Sequence, residues 1–234
     1  MTTPAEPTAT KTVTAQGKRL LLDAALRLAA VSRSLSGLGL RELAREAGLN
    51  PNTFYRHFKT VDDLGLEMIA EMGAHIRQPL RDLRFEAAER AGQDAEVKLV
   101  FGVDLRRGQR VCRETVELFF DYAAQNPQAF IVGVRELHGS SKPLRDALEQ
   151  MMEAFALDMA EDLEKLQLLP NLQPSAVRQV SSMISRQLFQ QSLDYIEQVD
   201  RRPAICAEAQ AQILMMFAGA TVLQAVGELR LSGD

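Results

Sequence analysis

The sequence lacks the features that mark membrane and secreted proteins. No apolar run approaches the roughly 18 residues needed to cross a bilayer. The first 18 residues contain no apolar stretch after their first charges, so we expect no secretory signal. Cys112 and Cys206 lie far apart without paired spacing, which is typical of core cysteines in a reducing compartment. These absences predict a cytoplasmic protein that has no membrane partner.

The patterns of catalysis and metal binding are also missing. His57, His75 and His138 are scattered and show no metal-ligand spacing. No serine or cysteine stands in a nucleophile-elbow context, and there is no glycine-rich phosphate loop. We therefore expect no enzyme, no metal site and no resident cofactor.

The charge of the chain is unevenly distributed. The net charge is −4, but residues 1–60 hold nine Lys or Arg and four Asp or Glu. That segment therefore carries +5 and the other 174 residues carry −9. A basic head on an acidic body favours a small nucleic-acid-reading domain attached to a larger one. Chance asymmetry is the alternative, so charge alone does not decide between them.

Apolar periodicity predicts an all-α protein without β-hairpins or repeats. A long helix follows Thr60, and Pro79 should kink or interrupt it. We divide the chain into a disordered segment (1–17), a helix-turn-helix domain (18–62) and a larger helical domain (63–234), with residues 89–110 as a polar connection. The other predicted helices span 18–34, 40–47, 51–58, 111–125, 127–138, 143–168, 174–199 and 203–230.

The most informative stretch is residues 40–59, which read LRELAREAGLNPNTFYRHFK. Gly48 marks a tight turn between two short helices, and Asn50 followed by Pro51 is a strong helix-start signal. The inner face consists of Leu43, Ala44, Ala47, Leu49, Phe54 and Phe58. The outer face of the second helix carries donors to phosphates and base edges: Asn52, Thr53, Tyr55, Arg56, His57 and Lys59. The alternative is an αα-corner in an ordinary helical protein.

The order of these residues across 18–70 resembles the TetR family of bacterial repressors. The resemblance implies a three-helix DNA-binding domain joined through a fourth helix to an all-helical ligand-binding and dimerisation domain. By family pattern, Arg41 and Thr53 approach base edges or phosphates, and the helix N-terminus enters the groove. Arg56 either contacts DNA or forms a salt bridge. The DNA-binding residues implied are Arg41, Asn50, Pro51, Asn52, Thr53, Tyr55, Arg56, His57 and Lys59.

Within that family the sequence looks most like the FabR and DesT repressors of unsaturated fatty-acid synthesis. The residues behind this are VDDLGLEMI after the reading helix, then NPQAFIVGVRELHGSS and LRDALEQ. Two features depart from the group: Gly39 replaces the usual Ser or Thr cap, and the 89–110 segment looks longer. The resemblance implies a repressor of fatty-acid desaturation genes that responds to acyl-CoA. The alternative is a TetR-type repressor of efflux or catabolic genes that responds to another hydrophobic small molecule.

Two predictions concern the larger domain. Adaptable Met and Phe side chains crowd its middle, which suits an alkyl guest, although such residues also fill ordinary cores. The ligand-binding candidates are Phe119, Phe120, Phe130, Val134, Met151, Phe155, Met159 and Met183.

The last two helices each carry an apolar stripe, so we expect a homodimer that binds a palindromic double-stranded operator. The alternative is that the stripes face their own core. The stripe residues are Val177, Val180, Ile184 and Leu188, then Ile213, Met216, Ala220 and Leu223.

Overall fold

The computed structural model describes residues 8–31, 34–92, 99–100 and 103–229, and within them the all-α prediction is confirmed. Short 3₁₀ turns lie at Leu35–Gly37 and Val199–Arg201. An antiparallel pair of two-residue strands, β1 (Leu99–Val100) and β2 (Val103–Asp104), was not predicted. The helices are α1 Thr8–Val31, α2 Leu40–Glu46, α3 Pro51–His57, α4 Val61–Gly92, α5 Leu105–Gln125, α6 Pro127–Leu137, α7 Lys142–Lys165, α8 Pro174–Glu197 and α9 Arg202–Ala225.

Several sequence predictions differ from the structure. The segment predicted as disordered is helical from Thr8 onward, because after Pro7 no residue breaks the helix and extending one is cheap. Residues 1–7 lie outside the described part. Pro79 does not interrupt α4, since Ile76 and Leu80 are buried on either side of it and their packing holds the helix. Helix α5 begins at Leu105 rather than at 111, and residues 93–98 and 101–102 of the predicted connection are not described.

The chain divides into two compact units. The first unit contains the residues up to Glu71 together with Ile131–Leu148. The second contains Met72–Phe130 and the residues from Glu149 onward. Residues 63–71 and 131–148, which the sequence division placed in the larger domain, therefore group with the DNA-reading candidates.

The core of the first unit is built from small and aliphatic residues of α1 packed against α2, α3 and α4. Gly65 in α4 allows a close approach, because a Cβ there would lie 2.8 Å from Cδ2 of Leu144 and 3.4 Å from Cδ1 of Leu35. Both leucines are almost fully buried. The fully buried core residues here include Leu21, Ala24, Ala25, Leu43, Ala44, Phe54 and Leu64.

Helices α5, α8 and α9 pack on one another in the second unit. The ring of Phe120 stacks on Tyr195 at a centroid distance of 4.9 Å, and the Tyr195 hydroxyl donates to Asp121. Phe130 contacts Phe119 and Phe189 at 5.7 and 5.8 Å. Aromatic contacts thus join α5, α6 and α8.

The predicted α8 stripe was wrong as a dimer surface, because all four of its residues are buried inside their own unit. The α9 stripe was largely wrong as well. Ile213 and Ala220 are buried and Met216 is half-buried, whereas Leu223 is exposed. Helix α9 is apolar around most of its circumference, so the sequence pattern did not distinguish its inner face from its outer face. The exposed apolar residues follow a different stripe, consisting of Ala211, Met215, Ala218, Gly219 and Val222.

By length and composition, Val199–Ala225 is apolar enough to cross a membrane, with a mean hydropathy of 1.3 and 28% of its most apolar window buried. A single helix of this kind is weak evidence, because the core helices of soluble proteins pass the same test.

Candidate nucleic-acid interface

The α2–turn–α3 segment is held by local hydrogen bonds that its sequence specifies. Gly48 adopts a left-handed φ of +67°, which a glycine tolerates without strain. The Leu49 N–H then donates to the Ala44 carbonyl at 2.8 Å, closing the end of α2. The Asn50 side chain accepts the Asn52 N–H at 2.9 Å and caps α3, with Pro51 in its first turn. The predicted turn and cap are thus both present.

Aromatic packing fixes which face of α3 points outward. Phe54 and Phe58 are buried with ring centroids 5.7 Å apart. The opposite face is exposed, and Tyr55 keeps 61% of its surface accessible. The exposed members of the predicted DNA-binding set are Arg41, Asn50, Pro51, Asn52, Tyr55, Arg56 and Lys59.

Thr53 and His57 are half-buried and face α1. A Cβ on the buried Gly17 would lie 3.1 Å from Nε2 of His57 and 3.8 Å from the methyl carbon of Thr53. Burial lowers the pKa of His57, and the charges of Lys18 and Arg56 lower it further. In the free protein these surroundings favour the neutral imidazole.

A reciprocal cap connects α3 to α4. The Thr60 hydroxyl accepts the Asp63 N–H at 3.0 Å, while the Asp63 carboxylate accepts the N–H groups of Lys59 and Thr60 at 3.1 and 3.0 Å. This confirms the predicted cap at Thr60. The backbone of Lys59 is fixed by these bonds, while its side chain remains exposed.

Sequence reasoning missed a pair of residues on α6 that hold the first unit together. One guanidinium N–H of Arg135 donates to the carbonyls of Ala29 and Ala30 at 3.4 and 2.8 Å, at the end of α1. Oε1 of Glu136, which is 2% exposed, accepts the Leu35 N–H at 2.6 Å. We name Arg135 and Glu136 the α6 clamp. Their adjacency in a buried-looking helix was the only signal, and their partners lie about 100 residues away in sequence.

The comparisons agree with this geometry. Residues 21–68 match the sequence model of the bacterial regulatory proteins of the tetR family. The N-terminal domain is a TetR-type DNA-binding domain. The match includes the TetR-type reading helix α3 and the first turns of α4.

Solved TetR-type structures share the fold along most of the chain. The fatty acid degradation regulator FadR from Bacillus halodurans superposes with a TM-score of 0.56 at 16% identity, covering 93% of this chain and 98% of its own. A regulatory protein of the tetR family from Rhodococcus RHA1 gives 0.56 at 15% identity, with 87% and 96% covered. Reduced NemR from E. coli gives 0.54 at 16% identity, with 84% and 95% covered. At these identities the likeness establishes the fold.

The predicted ligand residues do not form one large pocket. Five of them line a cavity of only about 30 Å³, which is room for roughly one water molecule. Phe120 is buried on Tyr195, Val134 is buried in the first unit, and Met183 is 52% exposed on α8. These three do not line that cavity. The five that do are Phe119, Phe130, Met151, Phe155 and Met159.

A larger cavity of about 380 Å³ lies in the same unit, and Met159 lines both cavities. Its walls come mainly from α5, α7 and α9 and are largely apolar, including Val111, Leu163 and Phe217. Cys112 is part of the wall, and burial raises the pKa of its thiol to about 12, so it stays protonated and acts as an apolar group. The volume falls within the range of roughly 300–1,000 Å³ typical of small-molecule sites.

Proposed function

We propose that this protein is a transcriptional repressor that binds a palindromic DNA operator as a homodimer and is released or recruited by a hydrophobic effector. The observation that carries the proposal is the capped α2–α3 pair, which exposes polar and basic side chains to solvent. Arg41, Asn52, Tyr55, Arg56 and Lys59 are the side chains we assign to DNA contact. No catalytic role is assigned to any residue.

The short reading helix suits a major groove. Its N-terminus presents backbone N–H groups and Asn52, while Tyr55 and Lys59 supply donors for phosphates. Two symmetric copies would read half-sites about one duplex turn apart, roughly 34–36 Å.

The homodimer is supported by the exposed stripe on α9. Ala211, Met215, Ala218 and Val222 recur at helical spacing and are exposed, and Ala218 and Val222 also border the cavity of about 380 Å³. Small residues between larger apolar ones allow two helices to approach closely, and an exposed apolar stripe typically marks an interface. A second copy of the same helix is the natural partner for this surface under two-fold symmetry.

For the effector, the cavity of about 380 Å³ supports a small apolar molecule. On the basis of the FabR- and DesT-like motifs, we propose that the effector is an acyl-chain compound. We also propose that the protein is cytoplasmic and controls fatty-acid desaturation genes. The similarity in fold to a fatty acid degradation regulator is consistent with this assignment. A ligand changes operator affinity only by binding two conformations unequally, so apo and liganded protein should differ in affinity.

The test is selection of the full-length protein against random duplexes, followed by titration at several salt concentrations. We expect an inverted repeat. We also expect Tyr55→Ala and Lys59→Ala to weaken binding to every sequence, with the salt slope falling by about 1 for Lys59→Ala.

Lys142→Ala is the matched control, because Lys142 is an exposed cation of the same unit that pairs with Asp146. Its operator affinity should stay within about two-fold of the parent, since surface pairs contribute little. Recovery of no palindrome, or equal losses in Lys59→Ala and Lys142→Ala, would contradict the assignment of α3 as the reading helix.

A further inference from the structure

Thr115 in α5 has a hydroxyl group that the protein leaves without a partner. The residue is 8% exposed, and its Oγ1 has no hydrogen bond within the described part of the chain. Thr115 lines both the small and the large cavity. An unpaired buried hydroxyl is costly, because it has given up water without gaining another partner.

A second threonine in the same cavity shows the ordinary arrangement. Thr221 of α9 donates its hydroxyl to the Phe217 carbonyl at 2.8 Å, four residues earlier in the helix. This is the usual way in which a helical threonine satisfies itself. The difference indicates that the Thr115 hydroxyl can form a hydrogen bond with a molecule bound in the cavity.

The charge beside Thr115 is already compensated. Arg84 lines the same two cavities, and its Nε and Nη2 donate to Asp162 at 2.9 and 2.6 Å. Along this network three arginines meet three carboxylates. An anion in the cavity would therefore meet a lining arginine, Arg84, that already has its carboxylate, and would pay much of its desolvation cost. The six residues are Arg77, Arg81, Arg84, Asp158, Glu161 and Asp162.

We infer that the large cavity binds an apolar molecule carrying one neutral oxygen, a hydroxyl or a carbonyl, which pairs with the Thr115 hydroxyl. The inference rests on the proposed effector role of the second unit and specifies the head group of that effector. The aliphatic walls hold the body of the molecule, and Thr115 fixes its orientation. A carboxylate of the same length is disfavoured, because the Arg84 charge is matched by Asp162.

The experiment measures dissociation constants for the full-length protein by ligand-observed NMR at pH 7.5, using four small probes. Heptanol and methyl hexanoate carry a neutral oxygen, heptyl chloride carries none, and heptanoate carries a charge. We expect the first two to bind about ten-fold tighter than the last two. Ten-fold corresponds to about 1.4 kcal/mol, the size of one buried hydrogen bond.

Three variants serve as the test and its two controls. Thr115→Val should abolish the advantage of heptanol over heptyl chloride, leaving heptyl chloride binding within about two-fold of the parent. Thr115→Ser keeps the hydroxyl and should therefore keep the advantage of heptanol. This variant separates the loss of the hydroxyl from poor folding of the valine variant. Thr221→Val should also keep the advantage, since that hydroxyl is already bonded to the backbone.

Several outcomes would overturn the inference. One is unchanged heptanol selectivity in Thr115→Val, which would mean that a trapped water satisfies the hydroxyl. A second is heptanoate binding as tightly as heptanol, and a third is no binding of any probe. None of these affects the operator selection described above, so failure of this inference and failure of the proposed repressor function can be told apart.

Discussion

The cations assigned to DNA contact in the first unit and the arginine network of the second unit lie in opposite surroundings. In the first unit Arg41, Arg56 and Lys59 project from α2, α3 and the following turn into solvent. In the second unit Arg84 and Asp162 are almost completely enclosed, with 5% and 0% of their side chains exposed. Cations that bind DNA phosphates must be exposed to solvent in the free protein. A buried charge, in contrast, needs an oppositely charged partner within the fold.

The contrast also separates the two kinds of recognition. In the proposed function, DNA contacts exposed donors on the capped backbone of the first unit, so we expect the dominant contribution to be electrostatic and salt-dependent. The second unit encloses space, and there the dominant contribution is apolar contact with a few polar groups that set orientation. The proposed function thus assigns a DNA-binding surface to the first unit and a small-molecule site to the second.

The largest expected effect comes from preventing two copies from dimerising, because the proposed operator binding requires two first units side by side. Met215→Glu places a charge in the exposed α9 stripe, where Met215 is 64% exposed. We expect a monomer in sedimentation and an operator affinity at least about 100-fold lower, because the second half-site no longer adds its avidity.

Leu157→Glu is the control for that change, since Leu157 is an exposed apolar residue of α7 at 44% exposure. It should remain dimeric. A Met215→Glu protein that sediments as a dimer would place the interface elsewhere and remove the role of the α9 stripe.

The next effect tests whether the buried charges of the second unit depend on permanent pairing. Asp162→Asn leaves the Arg84 guanidinium without its carboxylate and also removes a partner of Arg81. Breaking a buried pair costs about 3–5 kcal/mol, so urea unfolding should show a loss of that order. Glu161→Gln, at 56% exposure, should change stability by no more than about 1 kcal/mol. Equal losses in the two variants would show that burial does not distinguish these carboxylates.

The smallest expected effect concerns how the stability of the second unit's ion pairs depends on pH. Burial favours a higher pKa for Asp158, but the hydrogen bond from Arg77 and the charges of Arg77, Arg81 and Arg84 outweigh it and hold the pKa below its ordinary value. The pair therefore stabilises the fold fully above the unfolded pKa of about 3.9, and this contribution is lost as the pH falls through the lower folded value.

Unfolding free energy measured from pH 6 down to pH 2 should therefore fall less steeply in Asp158→Asn than in the parent. Asp82→Asn is the comparison variant, because Asp82 is an exposed acid of α4. If the two variants show the same acid slope, the Asp158 pairing contributes nothing to the acid response.

Local signals made the reading site predictable. Gly48, Asn50 and Pro51 act within a few residues of themselves, so the bounds of α2 and α3 were placed within one residue. The buried charges were not predictable in this way. Arg77, Arg81 and Arg84 are spaced like an ordinary solvated helix face, and their partners lie about 80 residues further along the chain.

Most of the predicted ligand residues do not line the larger cavity, for a related reason. Met and Phe are the residue types expected of both a core and an alkyl pocket, and composition does not reveal which of them leave space unfilled. The structure shows Met151 and Phe155 around a nearly filled gap, and the larger space lies beside Val111 and Phe217. An orphaned hydroxyl such as that of Thr115 is visible only once its neighbours are known.

The α6 clamp has a consequence for exchanging the DNA-reading part between proteins. Its bonds end on main-chain atoms, namely the Leu35 N–H and the carbonyls of Ala29 and Ala30. Those atoms are present whatever side chains stand there, apart from the amide that a proline would remove. If α2 and α3 read the operator as proposed, we expect that their exposed residues can be exchanged while Arg135 and Glu136 stay unchanged. To keep the α6 clamp, a transplanted segment must supply one amide and two carbonyls in the same positions.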